Sequence, residues 1–105
     1  MAVSITTANY TQEISTSTQP VILDVYASWC GPCQMMSPIF EEVEKEMPAY
    51  KFAKLNVDDA RDLSIKFGVT SVPTFLFIKD GTIVARETGY MDKESLKKTI
   101  QKHLG

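Results

Sequence analysis

The sequence predicts an α/β domain, with a central mixed five-stranded sheet flanked by four helices on both faces. Two observations carry that prediction. Short apolar, β-branched runs alternate with stretches in which apolar residues recur every three and four positions. The last two runs are joined by Lys79-Asp80-Gly81, a hairpin signal that adds an antiparallel edge to an otherwise parallel sheet. At 105 residues the chain has the size of one domain, and a single domain is assigned to residues 1–105.

The elements follow in order. Ile5 falls in a short edge strand. Asn9 is read as the N-cap of a helix through Ile14, with Gln12 three positions on as in a capping box. The polar stretch "TQEISTSTQP" ends that helix and turns into a strand. Val21 to Ala27, "VILDVYA", is apolar and β-branched, as in a strand buried on both faces. From Pro32 to Met47 the period changes, and Met36, Ile39, Phe40, Val43 and Met47 mark an amphipathic helix. Pro38 inside it predicts a bend rather than an end. Lys51 to Asp58 is the next strand, and "ARDLSIKFG" a short helix with Gly68 in the C′ position. Thr74 to Ile78 is a strongly apolar strand, and "TIVARE" is its antiparallel return. Met91 to Leu104 closes the chain as a helix with Leu96, Ile100 and Leu104 on one face and lysines on the other.

Composition narrows the function. The net charge of −2 gives no reason to expect nucleic acid or an anionic membrane as partner. No apolar run approaches the roughly 20 residues needed to span a bilayer. The N-terminal "MAVSITTANY" has neither a basic segment nor an apolar one, so no secretory signal is read and a cytoplasmic protein is expected.

The chain has two cysteines, Cys30 and Cys33, set side by side in "SWCGPCQMMSP". A zinc site needs four ligands, and His103 is the single imidazole beyond the pair, so no metal is expected. A structural disulfide closing so short a loop restrains the unfolded chain little. Inert buried cysteines remain an option, since Cys packs as a small hydrophobe. The redox reading is favoured by position. The pair follows a buried strand and opens a helix, where free N–H groups and the macrodipole favour a thiolate. Pro32 suits a first helical turn because its missing N–H would be unpaired there anyway. Gly31 is read as permitting a tight turn between the sulfurs. Cys30, near the N-cap, attacks, and the more shielded Cys33 resolves.

Asp24 is the local anomaly, a carboxylate inside a doubly buried strand. Either backbone N–H groups satisfy it within the core, or it accepts a proton from the Cys33 thiol through a water.

"WCGPC" preceded by "ILDVYA" resembles the thioredoxin family, and the likeness covers essentially the entire chain. It takes in Asp24, Pro38, "SVPTF", "KDG" and a later "TG". The resemblance implies the thioredoxin fold. It implies that Asp24 assists Cys33 and that Lys54 pairs with Asp24. It implies that Pro73 follows a cis bond opposite the cysteines, freeing the Val72 backbone for an extended substrate segment. Trp29, Gly31, Pro32, Val72 and Gly89 then complete an apolar docking patch around Cys30. The implied activity is reduction of client-protein disulfides through a Cys30/Cys33 dithiol–disulfide cycle, with no bound cofactor. The implied partners are those clients and a thioredoxin reductase, usually NADPH-dependent and flavin-containing, acting on a monomer.

Three positions depart from the family's commonest pattern. Tyr26 replaces a tryptophan, Gln34 a lysine or arginine, and Ser71 a glycine. Loss of a cation at Gln34 is expected to weaken the stabilisation of a Cys30 thiolate slightly, and Ser71 to add bulk to the docking face. Two alternative functions stand beside the reductase. An oxidase or isomerase of the same fold usually carries another residue at Pro32, and a docking subunit would keep its role without the thiols.

Overall fold

The structure, a computed structural model, describes residues 2–105. Five strands form one sheet: β1 (Val3–Ser4), β2 (Val21–Tyr26), β3 (Lys51–Asn56), β4 (Thr74–Lys79) and β5 (Thr82–Thr88). Their spatial order is β1-β3-β2-β4-β5. Three α-helices accompany them, α1 (Gly31–Glu46), α2 (Arg61–Lys66) and α3 (Lys93–Leu104), together with a π-helical turn over Thr11–Ser15. This is the mixed five-stranded sheet with four helical elements that the sequence predicts.

β2 runs parallel to β3, and β1 parallel to β3. β4 runs antiparallel to β2, and β5 antiparallel to β4. The reversal therefore falls inside the sheet, at β4, and β5 at the edge points the same way as β2. Sequence period reports which residues face a core but carries no strand direction, which explains the difference from the expected antiparallel edge. The β4–β5 turn places Asp80 at φ 51° and Gly81 at φ 77°, the two positive values of a type I′ hairpin.

Successive residues of β2 point to opposite faces, and each face is covered. Leu23 and Val25 pack with Ile14, Leu63 and Phe67, beneath the π-helical turn and α2. Ile22 packs with Met36, Phe40, Val43, Leu96 and Ile100, beneath α1 and α3. Phe40 anchors this second core, its ring centroid 5.2 Å from Phe52 and 6.1 Å from Phe75. α1 runs through Pro38 without ending there. Asp92 caps α3 by accepting the Ser95 N–H at 2.8 Å.

The first helix differs from expectation. Asn9 does not form a capping box with Gln12. Its Oδ1 accepts the Thr6 N–H at 2.8 Å and its Nδ2 donates to the Ser4 carbonyl at 2.9 Å. A short amide side chain close to free backbone groups bonds them locally, and here that local option displaced the helical cap. Ile5 lies just past β1 and continues its pairing, donating its N–H to the Lys54 carbonyl at 2.8 Å.

Candidate active site

β2 delivers its chain end to the N-terminus of α1, and the two cysteines sit at that junction. Cys30 is the N-cap residue in extended conformation, and its Sγ accepts the Cys33 N–H at 3.2 Å. Pro32 occupies the first turn, where no donor is lost. Cys30 and Cys33 are joined as a disulfide, with Cα atoms 5.2 Å apart. They pack with Ala27 and against Tyr26, Val57 and Val72. Their exposures are 6% for Cys30 and 4% for Cys33, so shielding separates the pair less than the sequence suggests. The N-cap position distinguishes them instead.

Gly31 needs no unusual backbone, for it is a helical residue without positive φ. A Cβ built there would meet nothing within 4 Å, so what the glycine provides is bare surface beside Cys30. This corrects the tight-turn expectation. Gly89 has both features: φ is 102°, which only glycine adopts readily, and its Cβ position is also open. Its N–H donates to the Pro73 carbonyl at 2.8 Å.

The Val72–Pro73 peptide bond is cis. The Val72 carbonyl oxygen lies 3.7 Å from Cys30 Sγ, which brings a segment 42 residues away against the disulfide. Trp29 stands 71% exposed on the other flank, with its indole N–H donating to Asp58 Oδ2 at 3.2 Å. Between them runs a groove of about 610 Å³ lined by Trp29, Asp58, Arg61, Ile65, Ser71 and Val72. Asp58 is a residue the sequence reading missed. The sequence makes it the last residue of a strand over Lys51–Asp58, whereas β3 ends at Asn56; its place at a strand's C-terminal end was the available signal, since α/β sites gather there.

Asp24 is 4% exposed, and its Oδ1 has no hydrogen-bond partner among the described residues. Burial pushes its pKa up to about 7, with the Lys54 charge pulling the other way. The reading of a core carboxylate satisfied by backbone donors therefore fails for Oδ1. Asp24 lies opposite Lys54 on β3 and Phe75 on β4. Lys54 Nζ sits 6.0 Å from the Tyr26 ring centroid, and its influence on Asp24 is through-space attraction. Asp24, Lys54 and Cys33 line one cleft of about 220 Å³ with Tyr26, Ser28 and Gln34, large enough to hold a bridging water. His103 lies apart from this site, with its Nε2 2.9 Å from Glu87 Oε2. No cluster of three or more His, Cys, Asp or Glu residues suited to a metal ion occurs among the described residues.

A disulfide between residues three apart at a helix N-terminus, with a buried carboxyl behind it and an open groove in front, is the arrangement of a thiol–disulfide oxidoreductase. The family model described as thioredoxin matches residues 1–102. Thioredoxin of Listeria monocytogenes is 42% identical over 105 residues, covering 99% of this chain and 100% of that one. Thioredoxin of Bacillus subtilis is 42% identical over 90 residues, 85% of this chain and 86% of that one. A thioredoxin H-type of Oryza sativa subsp. indica is 45% identical over 85 residues, 81% of this chain and 69% of that one. The chain belongs to the thioredoxin family. It is a protein-disulfide reductase whose redox group, the Cys30–Cys33 disulfide, is part of the polypeptide. Nothing in these relatives favours an oxidase, an isomerase or a redox-silent docking subunit.

Proposed function

We propose that this single domain reduces client disulfides by a cycle that begins at Cys30. The observation that carries the order is the cap: Cys30 Sγ receives the Cys33 N–H at the N-terminus of a 16-residue helix. That hydrogen bond and the helix dipole both favour a thiolate. The Cys30 thiolate attacks one sulfur of the client disulfide, forming a mixed disulfide and expelling the other client sulfur as a thiolate. Cys33 then loses its proton to the Asp24 carboxylate across the shared cleft and attacks Cys30 Sγ. The second client sulfur leaves as a thiolate, and the client has gained the two electrons lost by the Cys30–Cys33 pair. Asp24 suits this task because its pKa of about 7 matches neutral pH.

The docking face comprises Trp29, Gly31, Pro32, Val72, Pro73 and Gly89. The open Cβ positions at Gly31 and Gly89 support it, since a client backbone can approach there unobstructed. Lys54 tunes Asp24 and does not touch substrate. A thioredoxin reductase returns the disulfide to the dithiol. One chain carries every group the cycle uses, which supports action as a monomer, and a dithiol reductant fits the cytoplasm.

The test is adduct trapping with a disulfide-bonded protein client. Cys33→Ser is expected to accumulate the mixed disulfide through Cys30, and Cys30→Ser to form none. A stable adduct through Cys33 in the Cys30→Ser protein would overturn the order.

A further inference from the structure

Gln34 directly follows Cys33 on the first turn of α1, and its Nε2 donates to the Ser28 carbonyl at 2.9 Å. Ser28 belongs to the loop that follows β2, so the bond ties helix to loop. Both residues line the cleft that holds Asp24 and Cys33. Both are exposed whereas Asp24 is buried, so the bond lies across the cleft's solvent rim.

The groups that face Asp24 are few. Lys54 comes from β3, Tyr26 from β2 itself, and Cys33 and Ser37 from α1. β4 presents Phe75. Among the described residues, Lys54 is the one charged group lining the cleft besides Asp24. With Oδ1 lacking a protein donor, the stability of the carboxylate depends on Lys54 and on how freely water enters.

We infer that Gln34 is a positioning residue, which pins the loop at Ser28 and thereby limits the water that reaches Asp24. Its effect on turnover rests on the proton-acceptor reading of Asp24 given above, but its effect on Asp24 titration does not. Freeing the loop hydrates the cleft, favours the carboxylate, and lowers the pH at which Asp24 ionises.

The experiment follows the Asp24 carboxyl carbon by NMR from pH 4 to 10 in the oxidised full-length protein. Wild type is compared with Gln34→Ala and with Gln34→Met, which keeps the bulk and loses the donor. Both variants are expected to titrate lower than wild type by about half a pH unit or more. An unchanged midpoint in Gln34→Ala overturns the inference. A wild-type midpoint in Gln34→Met also overturns it, because bulk rather than the bond would then be the barrier. The pH profile of disulfide reduction separates the two readings. If the Asp24 midpoint falls and the profile does not follow, the Gln34 inference stands and the proton-acceptor role of Asp24 fails.

Discussion

Trp29 and Asp58 are joined by a 3.2 Å hydrogen bond from the indole N–H to Oδ2, which tethers an exposed ring in the loop that leads into Cys30. The bond reaches from the loop after β2 to the loop after β3. An aromatic face held in place before a client arrives loses little freedom on docking.

Removing that tether is expected to weaken docking without touching the chemistry. Asp58→Ala should raise KM for a protein client by about 3- to 10-fold at nearly constant kcat, in line with a bond worth about 1 kcal/mol. Steady-state reduction of a protein disulfide, together with Trp29 fluorescence anisotropy, checks this. An equal fall in kcat would place Asp58 in the chemical steps instead.

Asp24 is expected to make the fold less stable as pH rises. Its folded pKa of about 7 stands above the ordinary 3.8. Between those values the native state holds a proton that the unfolded chain has released, so stability falls across that window and levels off above it. The full difference corresponds to about 4 kcal/mol. Asp24→Asn is expected to abolish the fall and to stabilise the oxidised protein at pH 8 by about 2–4 kcal/mol. Urea unfolding at pH 5 and pH 8 reads it. The same variant should slow client release near neutral pH.

Lys54 opposes that shift. Lys54→Met removes the one attractive charge, so Asp24 should ionise at higher pH than in wild type. The acid limb of the reductase pH profile is expected to move upward with it. A downward move would show that Lys54 acts on the site by another route.

The core beneath α1 sets the stability of the cysteine junction. Phe40→Ala opens a cavity among Phe52, Phe75 and Met36 and should cost about 3–5 kcal/mol. Denaturant titration of the oxidised protein gives the value.

Much of this was legible in the residues themselves. β2 reads as doubly buried because both of its faces are apolar, and Asp24 stands out against that run for the same reason. The cysteine pair reads as reactive because its spacing and its helix start leave few other uses. What stayed hidden depends on partners far along the chain. Asp58 and Asp59 are adjacent carboxylates, and only the folded loop shows which one Trp29 meets. Asn9 has two competing uses for its amide, and the choice depends on where Ser4 and Thr6 lie once β1 has paired with β3. Gln34 reads only as a missing cation until Ser28 is found beside it.

The place of β4 beside β2 makes the surroundings of Cys30 depend on chain far beyond the cysteines. The cysteines and Asp24 belong to the stretch from β2 into α1, whereas the Val72 carbonyl beside Cys30 arrives with the segment leading into β4. A chain that extends only through β3 therefore carries the thiols without the Val69–Val72 wall of the proposed docking groove. The Val72 side of the groove is therefore set in place only by the pairing of β4 beside β2, before β5 completes the sheet.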